Sequence, residues 1–128
     1  MSQNLENKKE LTVLIAEDDK ISSYLIEKIL KPYGCKILHA KDGEEVINLC
    51  KENNTIDLIF MDVKMPVFDG FEATRQIRAF NTEVVIIAQT AFTLLGDKEK
   101  AAAVGCNEHI SKPIEQEKVT RILEKYFP

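Results

Sequence analysis

Apolar positions along the chain fall into two alternating kinds of run. Leu11–Ala16, Lys36–Ala40, Leu58–Met61 and Val84–Ala88 are short apolar stretches. Three of the four are apolar almost throughout, the pattern of strands covered on both faces. Between them the spacing becomes helical. Ile21, Tyr24, Leu25 and Ile29 share one face of a first predicted helix, and Gly34 follows as a stop signal. A second helix is predicted over Gly43–Asn53, carrying Val46, Ile47, Leu49 and Cys50, and a third over Gly70–Phe80, with Phe71, Thr74, Ile77 and Phe80 on one stripe. The Ala-rich stretch Lys98–Val104 predicts a fourth helix and Asn107–Ile110 a weak fifth strand. A last helix buries Val119, Ile122, Leu123, Tyr126 and Phe127, with Glu117, Arg121, Glu124 and Lys125 outward.

Strand then helix, five times over, implies an α/β fold: a parallel sheet with right-handed crossovers and helices on both faces. Residues 1–10 are polar and aperiodic and read as a flexible leader or linker, which leaves residues 11–128 as one domain. The net charge of −4 argues against a nucleic-acid partner. No apolar run reaches the roughly 20 residues that span a bilayer, so no direct membrane contact by this domain is expected. Cys35, Cys50 and Cys106 have no metal-ligand spacing and read as reduced, partly buried thiols of a cytoplasmic domain.

In an open parallel sheet, sites form at the carboxyl ends of the strands. The first predicted strand ends in Glu17-Asp18-Asp19, the third in Asp62, the fourth runs into Thr90, and Lys112-Pro113 follows the fifth. Each residue alone has an ordinary explanation as a cap or a solvated charge. Together they bring carboxylates, a hydroxyl and an ammonium to one rim. Clustered carboxylates need a compensating cation, and oxygen-only ligands suit Mg²⁺. A carboxylate can act as nucleophile and form an aspartyl phosphate. The metal, Lys112, and Thr90 with nearby backbone amides would then neutralise the three phosphoryl oxygens. That assembles the parts for phosphoryl transfer to Asp62, without a general base for a bound hydroxyl substrate.

The segments VLIAEDD, DLIFMDVKMPVFDG, IIAQTA and GCNEHISKPI resemble those of response-regulator receiver domains from about Leu11 to the end of the chain. The resemblance implies a flavodoxin-like five-stranded sheet of order 2-1-3-4-5. It makes Asp62 the phosphoacceptor and Glu17 and Asp18 the acidic pair. Asp19 suits a helix N-cap and is the less favoured alternative ligand. With Asp62 and the Lys64 backbone carbonyl, the pair would hold Mg²⁺, for which Mn²⁺ could substitute. Lys112 and the Ala91 backbone would bind phosphate, Thr90 would be the switch hydroxyl, and the bond before Pro113 would be cis. One family position departs: three residues before the lysine, where Tyr or Phe is usual, stands His109, which puts the usual aromatic switch in question. Lys64 and Phe92 occupy positions that affect phosphoryl lifetime in the family, and neither can position a hydrolytic water.

The resemblance further implies a histidine kinase or histidine phosphotransfer protein as partner, a monomer or weak dimer, and no enzymatic role beyond self-phosphorylation and dephosphorylation. The wording Gln-Thr-Ala-Phe and Ile-Ser-Lys-Pro-Ile favours a receiver from a hybrid sensor kinase with a membrane-anchored parent as an option; a stand-alone regulator is the runner-up. The first helix and the Pro113-Ile114 loop are expected to meet the histidine-bearing helix, with Ile114 as an exposed anchor. A haloacid-dehalogenase-type phosphatase would need an acid at Lys64, and a flavodoxin-like nucleotide binder would need a phosphate loop where Glu17-Asp18-Asp19 stands.

Overall fold

A computed structural model describes residues 10–91 and 96–128. Strands β1 (Thr12–Ala16), β2 (Lys36–Ala40), β3 (Leu58–Asp62), β4 (Val85–Thr90) and β5 (Glu108–Ser111) alternate with helices α1 (Lys20–Leu30), α2 (Gly43–Glu52), α3 (Gly70–Arg78), α4 (Asp97–Val104) and α5 (Gln116–Tyr126). All strand pairs are parallel, in the order β2-β1-β3-β4-β5, as the resemblance implies.

The near-continuous apolar runs are explained by this arrangement. β1 and β3 lie in the middle of the sheet, so both faces of each strand are covered. Leu14, Ile59, Met61 and Ile86 join Val46, Ile47, Ala73 and Ile77 on the α2/α3 side. Val13, Ile15, Leu58, Phe60 and Ile87 join Ile26, Leu30, Val119 and Ile122 on the α1/α5 side. Together these residues form two apolar layers with the sheet between them. Edge strand β2 is less buried, which accounts for its mixed sequence.

Three helices begin on the aspartates that precede them. Asp19, Asp42 and Asp69 accept from the N–H groups of Ser22, Glu45 and Glu72 at 3.0, 2.8 and 2.8 Å, each worth about 1 kcal/mol. Gly70 has no room for a side chain, because a Cβ there would lie 2.3 Å from the Asp62 carbonyl oxygen.

The first predicted helix face needs correction. Ile26 and Leu30 are the buried pair, whereas Ile21, Tyr24 and Leu25 are 71%, 61% and 49% exposed. Apolar residues cover two overlapping stripes of α1, and periodicity cannot tell which of them faces the sheet. Phe80 also lies beyond the end of α3 and is exposed, under the Lys51 ammonium.

At the amino ends of β4 and β5, the half-buried Arg78 guanidinium donates to Gly105 O (2.9 Å), Asn81 O (3.1 Å) and Asn107 Oδ1 (3.0 Å). Asn107 Oδ1 also accepts from Ile86 N at 2.8 Å. Among the described residues no helix is long and apolar enough to cross a membrane.

Candidate phosphoryl-acceptor site

β1, β3 and β4 end at the same rim, and the loops that follow them and β5 enclose a cavity of about 350 Å³ there. Its lining includes Glu17, Asp18, Asp62, Thr90, Lys112 and Lys64, all named from the sequence, together with Ala91. Glu17, Asp62 and Thr90 are buried (4%, 5% and 4% exposed), although polar side chains normally seek the surface.

One ammonium connects the carboxylates. Lys112 Nζ lies 2.8 Å from Glu17 Oε1 and 3.2 Å from Asp62 Oδ2. Burial alone would lower the Lys112 pKa, but the Glu17 hydrogen bond and the charges of Asp62 and Glu17 outweigh it, and the value lies above that of ordinary lysine. Burial raises the Glu17 pKa, Lys112 opposes this, and the neighbouring Asp62 adds to it. Two buried carboxylates therefore share one cation, an arrangement short of positive charge.

Glu17, Asp18 and Asp62 each offer a carboxylate oxygen, and these oxygens lie within 4.8 Å of one another. This all-oxygen donor set fits a hard divalent cation such as Mg²⁺. Asp19 is occupied elsewhere: its carboxylate caps α1 and accepts from Ser22 Oγ at 2.7 Å. The Thr90 hydroxyl is buried without a hydrogen-bond partner among the described residues, and such a group usually has one. Lys64 N donates to Asp62 Oδ1 at 3.3 Å. The Lys112–Pro113 peptide is cis.

His109 lies apart from this group, half-buried in another cavity with Lys98, Ala101 and Cys106 beneath α4. Phe92 falls outside the described residues. Ile114 is half-buried against the α1/α5 core instead of standing exposed as an anchor. A cleft of about 260 Å³ runs between Leu25 and Ile26 on one side and Pro113 and Ile114 on the other. Sequence reasoning missed Asp97, which reaches the site cavity from the first turn of α4, and Gln89, whose place inside an apolar run was the available signal.

Sheet order, rim and acidic cluster together define a receiver-type α/β domain. The chain belongs to the response regulator receiver domain family, whose model matches residues 13–124. It is 37% identical to histidine protein kinase 1 of Candida albicans over 95% of this chain and 5% of that protein. The chain thus spans about a twentieth of the length of such relatives. Among solved structures it is similar to the receiver domain of Ssk1 of Saccharomyces cerevisiae, crystallised with the histidine phosphotransfer protein Ypd1 (32% identity, TM-score 0.85, 91% of this chain and 88% of that one). It is also similar to the receiver domain of a sensor histidine kinase of Pseudomonas aeruginosa, with a magnesium ion in its active-site cleft (33% identity, TM-score 0.83, 92% and 98% covered).

Proposed function

We propose that Asp62 of this receiver domain accepts a phosphoryl group from a phosphohistidine donor, with Mg²⁺ held by Glu17, Asp18, Asp62 and the Lys64 carbonyl. The observation that carries this reading is the Lys112 ammonium bridging Glu17 and Asp62 beside the Thr90 hydroxyl, which has no partner among the described residues. An Asp62 oxygen bonds to phosphorus, the bond from phosphorus to the donor's imidazole nitrogen breaks, and the imidazole takes up a proton from water. When bound, the cation neutralises phosphoryl charge. Lys112 holds a second phosphoryl oxygen, and the Thr90 hydroxyl and the Ala91 amide hold the third. Thr90 reports the new state by turning toward the phosphoryl group, which gives its unused hydroxyl a partner. Intact mass after incubation with acetyl phosphate and Mg²⁺ should show one added phosphoryl group. Asp62→Asn, or removal of the metal with a chelator, should abolish it. A gain that persists in Asp62→Asn removes Asp62 from the role.

We further read residues 1–10 as a leader or linker and the domain as one module of a hybrid histidine kinase acting at the cytoplasmic side. The donor would be a histidine kinase or a histidine phosphotransfer protein, as in the Ssk1–Ypd1 pair. Its docking surface is the exposed Ile21, Tyr24 and Leu25 beside the Pro113-Ile114 cleft. Apolar groups left in water on a helix suit a partner helix that covers them. Leu25→Asp should slow transfer from a phosphotransfer protein by at least tenfold while leaving the acetyl phosphate rate unchanged. Equal slowing with both donors would place the fault in the site and end this docking model.

A further inference from the structure

Gln89 sits on β4 directly before Thr90. It is completely buried, and neither its carboxamide oxygen nor its nitrogen has a hydrogen-bond partner among the described residues. Leaving a buried polar group unpaired costs about 1–3 kcal/mol. A methionine or leucine would fill the same space without that cost, so the core alone gives no reason for an amide here.

The sheet register supplies one. Gln89 is paired with Asp62 on one side and with Ile110 on the other. Paired residues of a parallel sheet share a face, and Lys112, two residues beyond Ile110, continues that face along the chain. Lys112 starts from the β5 side and ends on Glu17 and Asp62, so its path crosses the column that Gln89 occupies. Both residues line the site cavity and also the adjoining cleft. An ammonium has three N–H donors. Glu17 and Asp62 face it as ion pairs at 2.8 and 3.2 Å, which leaves at least one N–H without a partner among the described residues.

We propose that Gln89 is a positioning residue for Lys112: in the loaded site its carboxamide oxygen accepts the third ammonium N–H, directly or through one trapped water. The need arises when the site is used. A phosphorylated Asp62 no longer carries an anionic carboxylate, and Glu17 would be among the residues that hold a cation. Lys112 would then exchange the two carboxylates that now fix it for a phosphoryl oxygen, and the Gln89 oxygen is a neutral acceptor next to its path. It can hold the ammonium without competing for its charge with the phosphoryl oxygens, which a carboxylate would do. A water there would also satisfy the amide nitrogen.

The inference rests on the reading of Asp62 as phosphoacceptor. Its test is Gln89→Met, with Gln89→Leu as a second variant, each in the full chain with Mg²⁺ and varied acetyl phosphate. The first-order rate at saturating donor should fall about fivefold, the factor that loss of about 1 kcal/mol in the transition state gives. The half-saturating donor concentration and the Mg²⁺ affinity should stay the same, and the thermal midpoint should stay level or rise. Beryllofluoride, a phosphoryl mimic, should bind more weakly by a similar factor. An unchanged rate overturns the proposal, as does a loss that only follows a lowered thermal midpoint. A wild type that takes no phosphoryl group sinks this inference and the Asp62 reading together; an active wild type with equally active variants sinks this inference alone.

Discussion

Glu17 and Glu108 are both glutamates packed against cations, yet their pKa values move in opposite directions. At the rim, burial pushes Glu17 up, and its cation is shared with Asp62. On β5, burial also opposes ionisation of Glu108, but hydrogen bonds from Lys125 (2.8 Å), Arg121 (3.0 Å) and Tyr126 (2.8 Å) outweigh it and hold the carboxyl at about 2. One region has more carboxylate than cation, and the other has three donors for a single carboxylate. The second arrangement fastens α5 to the sheet. The first is stable only to the degree that other contacts carry it, and a further cation there would relieve it. A shortage of positive charge thus separates the candidate site from the part of the protein that holds.

Removing the cation on each side gives the largest expected contrast. Lys112→Met strands two buried carboxylates and should cost about 3 kcal/mol. Lys125→Met leaves Glu108 with Arg121 and Tyr126 and should cost less than about 1 kcal/mol. Urea unfolding at neutral pH measures both, and equal losses would erase the distinction. Neutralising the acids should then give opposite signs. Glu17→Gln should raise stability by about 1 kcal/mol, because it relieves a buried charge, and Glu108→Gln should lower it by a similar amount.

The pH dependence follows the same division. A carboxyl whose pKa is depressed by folding contributes stability above its unfolded value and loses it as pH falls through the folded one. Between pH 4.5, the ordinary glutamate value, and about 2 the deficit of Glu108→Gln should therefore shrink to nothing. The raised Glu17 runs the other way: its penalty is present above its folded value, and the advantage of Glu17→Gln should fade as pH falls toward 4.5 and be gone below it. Thermal midpoints of the three chains from neutral pH down to about 2 show both trends, the Glu17 one above pH 4.5 and the Glu108 one below it. Parallel curves would mean that neither glutamate behaves as its surroundings imply.

The sheet and the rim were legible because strand ends punctuate the sequence with the residues the chemistry needs. Asp62 and Thr90 stand at the ends of largely apolar runs and Lys112 follows the weak fifth strand, and topology brings such positions together. The outer face of α1 was not legible, since Ile21, Tyr24 and Leu25 follow a core-like spacing while pointing to water. Nor was the Glu108 cluster, although Arg121 and Lys125 lie four apart on α5; the spacing marks a shared helix face but not the strand residue beneath it. Gln89 was passed over because one amide in an apolar run stands out by its polarity alone, which does not say what it faces. Its significance comes from register with Asp62, which pairing reveals and composition does not.

Arg78 joins residues up to 29 positions away, from the end of α3 to the entry of β5, through three neutral oxygens. In terms of loop closure it acts as a cross-link, shortening the set of paths open to the segment it encloses. Many small domains use a covalent bridge for this, whereas Cys35, Cys50 and Cys106 are all free here. A guanidinium clasp has no oxidised or reduced form, so this fastening holds whatever the thiol balance around the protein.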